Sequence, residues 1–474
     1  SDAPSRGTAF YYTPSGLSVT PGTASTYGSF SNLGTDLGAA FNGSLGNLTL
    51  DMKNGSRLMI ASNINASLAN TTDAAIRAAL PGLNFTSGST DYKTAMLYLS
   101  YLNIDKNVNL DDANDDYNKL EISNSSIENN STVTGTQAGQ VAMAQENIYN
   151  NPVDIKWVTL TNNGAINLSG ANSTGMYAKF GVIKNTKDIT VGDSGTGIYG
   201  TDNSQISNTG TITMGSNSTG MYYDDARNST VTTTGMTNNG TIKSTGSNSV
   251  GMSYNHIGGN ITTFENAGTI ELTGDKNTGM YATGDPGYNT INSGTIKMGD
   301  SASLNNPNVA LYTSDTTNAT KLINTGNIET GAYTIGIFGN QSENSGNITV
   351  GDGAIGIYSQ TGNVDLTGGK IKLGGKEAVG VYTIGSGQTI TNSNTDFDIA
   401  DSSYGFVNLN TSGTGNTIIS SKPNLTLGND VVYIYSNDTK GTVINNTSIT
   451  SGAGAKTNYG IYSAGTVTNN ANID

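Results

Sequence analysis

The chain has 474 residues, of which 34% are apolar and 12% are charged, and its net charge is −14. Both fractions are low for a globular protein, so we expect narrow cores and many turns rather than large compact domains. The negative charge opposes binding to nucleic acid or to an anionic lipid surface, and the lack of cysteine excludes disulfides and thiolate chemistry. We expect no cofactor, no nucleic-acid partner and no membrane contact by this chain.

Residues 1 to about 150 contain strand-like segments without a regular repeat. These segments are LTLDM from Leu48, LEISNSSIENNSTV from Leu120 and GQVAMA from Gly139. DAAIRAALPG, from Asp73 to Gly82, predicts a short helix because Thr72 can cap it and Pro-Gly can end it. We interpret residues 1–150 as an irregular N-terminal β-helical region with a projecting insertion near 61–103. That insertion is either a binding feature or an end cap.

One acidic loop in this region, NLDDANDDYN, raises the question of calcium. Asp112, Asn114 and Asp116 match the first ligand spacings of an EF-hand loop. Tyr117 stands where such a loop needs glycine, and Ser123 stands where it needs a bidentate glutamate. The loop therefore lacks the two most diagnostic positions, and it stays a candidate for a calcium site of another kind.

From residue 151 onward a unit of the form N-x-G-x-I-x-φ-x-G recurs, where φ is usually apolar. Its central apolar residues are Ile166, Ile189, Ile212, Ile242, Ile270, Ile296, Ile328, Ile348, Ile371, Ile399, Leu425, Ile449 and Ile473. Their spacing of 20 to 32 residues is typical of a solenoid. Apolar residues alternate within each unit, as in a short strand with one buried face. We predict an all-β fold over 151–474, a right-handed parallel β-helix of about 13 or more coils that is truncated mid-coil. In the last units Phe397, Pro423 and Thr447 take the place of the corner glycine.

An asparagine stands four residues before most of the central positions. The set is Asn162, Asn185, Asn208, Asn238, Asn266, Asn292, Asn324, Asn344, Asn445 and Asn469. Stacked coils would place these amides on top of one another, so each could donate a hydrogen bond to the next. The glycine two residues later is expected to supply a positive φ or a close approach between coils.

A second strand follows in each unit, with the pattern Gly-Met-Tyr or a close variant. In TGMYA we expect Met176 to point inward and Gly175 and Tyr177 to point outward. The aromatic residues that occupy this one position are Tyr177, Tyr199, Tyr222, Tyr281, Tyr312, Phe338, Tyr358, Tyr382 and Tyr462. They predict an aromatic ladder on one face, which either binds sugars and protein partners or stacks for stability.

Counting five residues on from the glycine aligns three ionisable residues, Asp202, Asp225 and His256. Asp224, Arg227 and Asp285 lie in the same loops. Stacking could gather a carboxylate, an imidazole and a guanidinium, which could act on a polysaccharide or contact a ligand. The alternative is that these are ordinary solvated loop residues.

The segments NNGAINLSGANSTGMYAKFG from Asn162, IDKNVNLDDANDDYNKLEISNSSI from Ile104 and GQVAMAQEN from Gly139 resemble the passenger repeats of very large fusobacterial adhesins. These are type V autotransporters of the RadD-like family. The resemblance implies adhesion and virulence at the bacterial cell surface, with anchoring in the outer membrane through a C-terminal barrel that we expect to lie outside this chain. It implies as partners host cell-surface receptors, including immune receptors, galactose-type glycans and other bacteria.

The sequence thus predicts an adhesin passenger rather than an enzyme. Its candidate binding residues are Asp202, Asp224, Asp225, Arg227, His256, Tyr177, Tyr199 and Tyr222. Two alternatives remain open, a polysaccharide-acting β-helix enzyme that uses Asp225 and His256, and a structural spacer that binds nothing.

Overall fold

The computed structural model describes residues 7–33, 35–36, 48–52, 55–89, 91–147, 158–225, 229–256, 259–284, 288–315, 317, 320–454 and 456–474. They form two compact units. Unit 1 comprises Ser1–Gly192 and Thr196–Ile206, and unit 2 comprises Asp193–Gly195 and Ser207–Asp474. The domain boundary predicted at residue 150 falls within 148–157, outside the described residues.

Each unit is built from coils of three short strands that pair in parallel with the equivalent strands of the next coil. One coil shows the pattern. The asparagine strand Thr159–Asn162 ends at the repeated asparagine, the isoleucine strand Ala165–Leu168 carries the central isoleucine, and the tyrosine strand Thr174–Lys179 carries Gly-Met-Tyr. We use these three names for the equivalent strands of every coil. The predicted all-β parallel β-helix is confirmed.

In unit 1 the three strand types recur from the first described residues. The asparagine strands are Gly28–Ser29, Ile64–Ser67, Tyr101–Ile104, Ser126–Asn129, Thr159–Asn162 and Val182–Asn185. The isoleucine strands are Val108–Asn109, Thr132–Gly135, Ala165–Leu168 and Ile189–Val191, and Leu48–Leu50 pairs with Leu83–Phe85 in a sheet of their own. The tyrosine strands are Thr8–Tyr12, Arg57–Ser62, Lys93–Tyr98, Leu120–Ser123, Val141–Glu146, Thr174–Lys179 and Thr196–Thr201. The described helices are the 3-10 turns Ala24–Thr26, Phe30–Asn32 and Leu68–Asn70 and the α-helix Asp73–Ala79.

Unit 2 repeats the same coil more regularly. After Gln205–Asn208, which contains the division between the units, the asparagine strands are Ser229–Asn238, Gly259–Asn266, Asn289–Asn292, Lys321–Asn324, Gln341–Asn344, Val364–Leu366, Thr389–Asn392, Thr417–Ser420, Thr442–Asn445 and Thr466–Asn469. The isoleucine strands are Thr211–Met214, Thr241–Ser244, Thr269–Leu272, Thr295–Met298, Asn327–Thr330, Asn347–Val350, Lys370–Leu373, Asp396–Ile399, Asn424–Leu427 and Ser448–Ser451. The tyrosine strands are Thr219–Asp225, Val250–His256, Thr278–Gly284, Val309–Thr313, Ile335–Gly339, Ile355–Ser359, Val379–Thr383, Tyr404–Asn408, Val432–Ser436 and Tyr459–Ser463.

The core of each coil is narrow, and each of its inward positions is filled by the same residue type in successive coils. Ile242 pairs with Ile270 and Ile270 with Ile296, and all three are fully buried. Met252 pairs with Met280 on the facing strand, and both are also fully buried. Columns of equal side chains fill the interior, since every coil offers the next one the same shape.

The predicted amide ladder is confirmed. Asn238 donates from Nδ2 to Oδ1 of Asn266, Asn266 donates likewise to Asn292, and each N···O distance is 2.8 Å. The same bond joins further pairs, from Asn129 to Asn162, Asn162 to Asn185, Asn208 to Asn238, Asn292 to Asn324, Asn324 to Asn344 and Asn445 to Asn469. From Asn208 onward, the amides of the ladder also donate to a carbonyl two residues further along the chain, as Asn266 does to Gly268. Where the ladder runs, the polar group buried at each corner is therefore satisfied by its copies in the neighbouring coils.

Of the two roles predicted for the corner glycines, the structure supports close approach. A Cβ added to Gly240 would lie 2.1 Å from the carbonyl oxygen of Gly210. Positive φ angles occur at the other corner of the coil, immediately before the tyrosine strand, at Asn172, Asn217 and Asn248. Asparagine tolerates that left-handed conformation because its short side chain bonds locally.

The prediction that Gly175 faces outward is wrong. Gly175 and Met176 are both buried, because the chain turns inward at two successive residues before Tyr177 faces out. A Cβ on Gly175 would lie 2.5 Å from the carbonyl oxygen of Gly197 and 2.7 Å from Cγ2 of Ile189. The glycine of Gly-Met-Tyr therefore gives the next coil room to pack.

The predicted short helix is confirmed as Asp73–Ala79, with the Thr72 hydroxyl accepting a hydrogen bond from the Ala75 amide at 3.0 Å. The surrounding segment, 61–103, belongs largely to the coils. Residues 61–67 and 93–103 lie mostly in tyrosine and asparagine strands that pair in register with each other. The insertion is thus narrowed to the stretch between those strands, which holds the helix.

The isoleucine sheet of unit 2 is interrupted near its C-terminal end. Asp396–Ile399 pairs with Lys370–Leu373, whereas Asn424–Leu427 pairs with Ser448–Ser451 in a separate sheet. Tyr433 fills the interior there, and its ring lies 5.9 Å from Phe397 and 5.5 Å from Phe406.

The prediction that Ile399 is a central position of the repeat, with Phe397 in the place of the corner glycine, is wrong. Ile371 pairs with Phe397, and Ile399 pairs with Leu373. Phe397 and Ile399 are both buried, so a slip of two residues leaves the same face inward and the sequence pattern does not expose it.

Candidate functional site

The outward face of the tyrosine strands in unit 2 carries a continuous aromatic ladder. Its rings are Tyr281, Tyr312, Phe338, Tyr358 and Tyr382, with successive centroid distances of 5.1, 5.2, 4.8 and 5.2 Å. All five rings are half-buried, since each covers its neighbours while its outer edge meets solvent. Three of the four ring pairs stack, and Tyr312 is tilted by 51° against Phe338, so the predicted stacking is confirmed for most of the ladder. Contact among the rings accounts for the repeated aromatic position by itself.

Apolar side chains three residues before the rings widen this strip. Val309, Ile335 and Ile355 are less than one-tenth exposed, and they pack against the ladder rings beside them. Ala310 and Leu311, which follow Val309, point into the core and are fully buried. The outer face of these strands is thus apolar and aromatic, where a solvated sheet would carry polar residues.

The loop between Met298 and Val309 turns the strip into a groove. Leu304 in this loop keeps 41% of its surface exposed. The groove has a volume of about 440 Å³, within the range of small-ligand sites. We call it the ladder groove, and it is lined by Lys276, Thr278, Leu304, Asn305, Asn306, Pro307, Val309, Tyr312, Ile335 and Phe338.

The sequence indicated the rings but missed the apolar residues that flank them. VALY, IGIF and IGIY place an aliphatic residue three positions before the aromatic, where most earlier coils have the polar residue threonine. That substitution of Thr278 by Val309 in the next coil was a visible signal of an outer face that turns apolar. Tyr435 was missed as well, because VYIYS lacks the glycine, yet its ring stacks on Tyr462 at 5.2 Å.

The ladder is interrupted where the column holds another residue. Ser253 stands in register between Tyr222 and Tyr281, and Val407 stands between Tyr382 and Tyr435. Beyond the second interruption, Tyr435 meets the ring of Tyr404 edge-on, with the centroids 6.2 Å apart. Burial raises the pKa of Tyr312 and of Tyr382 above that of free tyrosine, so these phenols stay neutral at physiological pH.

In unit 1 the rings of the predicted candidates Tyr177 and Tyr199 contact each other, with centroids 5.2 Å apart and planes tilted by 49°. The Tyr177 hydroxyl donates to Oε1 of Glu146 at 3.1 Å. Burial, followed by the charge of Glu146, raises the pKa of Tyr177 above its ordinary value. The pair is therefore a neutral phenol bonded to a carboxylate.

The ionisable column, for which ligand binding, catalysis and a solvated loop were all open interpretations, is described only in part. Asp225 and His256 occupy one register position on neighbouring strands, as the count from the glycine predicted. Their side chains lie outside the described residues, as do Arg227 and Asp285 altogether. Asp224 accepts a hydrogen bond from Nδ2 of Asn255 at 2.9 Å. The catalytic hypothesis for these residues stays a prediction.

Asp202 lies beyond the end of its strand, in a left-handed turn with φ of 49°. It is 6% exposed, and its Oδ2 lies 3.7 Å from Nζ of Lys179. Asp202 therefore forms an ion pair with Lys179 of the same unit.

The acidic loop that raised calcium is held by other bonds. Asp112 accepts from the Asn114 amide at 2.9 Å, and Asp116 forms an ion pair with Lys106. Asp111, one residue earlier, accepts from the Thr136 hydroxyl and amide and from Gln140, which lower its pKa to about 2. Within the residues that the structure describes, no group of three or more His, Cys, Asp or Glu side chains is arranged to hold a metal ion.

In the described part of the chain, no helix is long and apolar enough to cross a membrane. Comparison with known proteins found no matching family model, no matching curated protein and no matching solved structure.

Proposed function

We propose that this chain is a passenger fragment of a bacterial cell-surface adhesin, whose β-helical coils present the ladder groove to a receptor or glycan. The observation that carries the proposal is the strip of stacked rings and flanking aliphatic side chains on the outer face of unit 2. Stacking explains why the rings touch one another, but it does not require Val309, Ile335 and Ile355 beside them. An apolar outer face next to an open groove is typical of a surface that meets a partner.

The resemblance to RadD-like passengers supports the display of such a chain on the bacterial surface. A β-helix suits this role because coils can be added without enlarging the core. Loops on a rigid scaffold then provide recognition, as the loop holding Leu304 does in the proposal. The partners we propose are a host surface protein, including an immune receptor, a galactose-type glycan, or another bacterium.

The test measures binding of the purified chain to host cells and to a glycan array. Leu304→Asp places a charge in the groove wall without disturbing the ladder, and Phe338→Ser removes one ring. Because a few central contacts dominate most interfaces, we expect each change to weaken binding by about tenfold or more.

Ile384→Asp is the matched control, since Ile384 is an equally exposed aliphatic residue of unit 2 that does not line the groove. It should bind like the unchanged chain. Binding by all three variants would overturn the assignment of the groove. No binding by any form would favour a spacer, and release of products from a polysaccharide would favour the enzyme.

A further inference from the structure

Unit 1 contains a break between two tyrosine strands. Leu120–Ser123 is the last strand of a four-stranded sheet, and the next tyrosine strand, Val141–Glu146, begins another sheet by pairing with Thr174–Lys179. Within the described residues, no ladder of main-chain bonds joins the two strands that face each other across the break.

Two side chains bridge the break in place of main-chain bonds. The Gln145 side chain, in a residue that is 6% exposed, donates to the carbonyl of Ile122 at 3.0 Å and accepts from the amide of Ser125 at 3.1 Å. The Tyr117 hydroxyl donates to the carbonyl of Ala142 at 2.8 Å. Polar groups at the edges are thereby satisfied while the strands stay apart. The break is therefore stabilised by specific side-chain hydrogen bonds.

A cleft of about 330 Å³ opens over this break, with Ile122 and Ser123 on one side and Ala144, Glu146 and Tyr177 on the other. Ala144 is the register partner of Tyr177, so it occupies the ladder position of its own coil. Tyr177 contacts the tilted ring of Tyr199 on one side, but on the other side the exposed methyl group of Ala144 stands where another ring would be. One face of the Tyr177 ring is thus left open toward the cleft.

The polar groups around that face suit a ligand that donates hydrogen bonds. Glu146 is exposed, and one of its oxygens already accepts from the Tyr177 hydroxyl, which fixes the carboxylate beside the ring. A carboxylate only accepts hydrogen bonds, and it has lone pairs left for ligand hydroxyls. The Ser123 hydroxyl stands on the opposite wall.

We propose that this cleft binds a neutral hexose unit of a glycan, whose C–H face lies on Tyr177 and whose hydroxyls donate to Glu146. An aromatic face can pack against the C–H face of a pyranose ring, while a carboxylate accepts hydrogen bonds from the hydroxyls of the same ring. Acidic sugars fit poorly because they would meet the Glu146 charge. The nearest cation in register, Lys179, already faces Asp202. The site lies in unit 1 and does not depend on the ladder groove.

Saturation-transfer NMR tests the site on the full chain carrying Leu304→Asp, which blocks the ladder groove and so removes any signal from it. The probes are methyl glucoside, galactoside, mannoside and glucuronide. At least one neutral glycoside should receive saturation from the protein. Ala144→Phe should abolish this signal, because the new ring would cover the open face of Tyr177. Glu146→Gln should weaken binding by about tenfold, since a charge-assisted hydrogen bond is lost while the shape is kept.

Val467→Phe is the matched control, because it adds the same ring at an exposed strand position of unit 2 and should leave binding unchanged. Glu146→Gln keeps the test decisive if Ala144→Phe fails to fold. The proposal is overturned if no neutral glycoside binds, if binding persists with Ala144→Phe in a folded chain, or if the glucuronide binds more tightly than the glucoside.

Discussion

At the scale of single residues, the asparagine ladder shows how a repeated polar side chain can be buried at every coil. Each amide supplies both a donor and an acceptor, so one residue type satisfies itself when the coils stack. The arrangement also selects the register, because a coil shifted by one residue would leave two amides without partners. The ladder is absent where Leu366 pairs with Asn344, and the aliphatic side chain there ends the run.

Replacing Asn266 with alanine should destabilise the coils around it by about 2–4 kcal/mol, since it strands a buried donor on Asn238 and a buried acceptor on Asn292. Hydrogen exchange of the Gly268 amide, which bonds to the carbonyl of Asn238, reports the effect locally. Asn347→Ala provides the control, because Asn347 forms a similar bond to Asn327 on the exposed surface. For each variant, the loss of protection is measured at the amides next to the substituted residue. Equal losses in the two variants would show that burial of the ladder is unimportant.

Asp438 makes the stability of unit 2 depend on pH in the acidic range. It is 2% exposed and accepts hydrogen bonds from the Asn416 amide at 2.7 Å and from Asn410 and Lys440. Burial alone would raise the pKa of this carboxyl, but these hydrogen bonds outweigh it and hold the pKa below its ordinary value. The ionised form is therefore favoured in the folded state.

Because the folded pKa lies below the unfolded value of about 3.9, the stabilisation from Asp438 is complete above that value and is lost as the pH falls through the folded pKa. Asp438→Asn should lower stability at neutral pH, and the difference from the unchanged chain should shrink in acid. Urea unfolding followed by circular dichroism at neutral pH and at several acidic pH values measures both. A difference that stays constant with pH would argue against this carboxylate.

At the scale of elements, the break in the isoleucine sheet of unit 2 is compensated by one large side chain. Tyr433 occupies the strand position that holds glycine in most coils, and its hydroxyl lies 2.7 Å from Oγ of Ser420. The neighbouring glycine, Gly405, leaves room for it, since a Cβ there would lie 2.8 Å from Cδ2 of Tyr433. The aromatic ring thus fills the space that the separated strands leave.

Tyr433→Gly restores the usual residue of the repeat and should nevertheless cost about 3–5 kcal/mol, because the cavity cannot close. Ala310→Gly makes the analogous change in a regular coil and should cost no more than about 1 kcal/mol. Urea unfolding of both variants compares the two costs. If both substitutions cost the same, the ring does not support the break.

The regular elements could be predicted from the sequence, whereas their interruptions could not. Identical residues in register, such as Ile242 and Ile270, reveal strand position directly. Phe397 could not be placed, because a shift of two residues preserves its inward face. The cleft beside Tyr177 escaped prediction for a related reason. Ala144 looks like a weak match to the repeat, and only the structure shows that the strands around it separate.

At the scale of the whole molecule, each coil contacts chiefly the coils before and after it. Stability should then be a sum of local terms rather than a property of one common core, and a change in one coil should leave distant coils protected from hydrogen exchange. Because of this independence, recognition features can change in one coil while the scaffold stays intact. The loop holding Leu304 and the apolar strip beside it are such features.

This independence predicts that a whole coil can be removed from unit 2. Deleting residues 327–346 joins Gly326 to Asn347, which occupies the register position of Asn327. The shortened chain should fold with unchanged circular dichroism per residue, because Thr295–Met298 then pairs with Asn347–Val350 and Tyr312 then stacks on Tyr358. Deleting only 327–337 removes half a coil and joins an asparagine corner to the middle of a tyrosine strand. That variant should be digested by protease far faster, since the coils after the junction lose their register. Equal resistance of both deletions would contradict an architecture in which the complete coil is the structural unit.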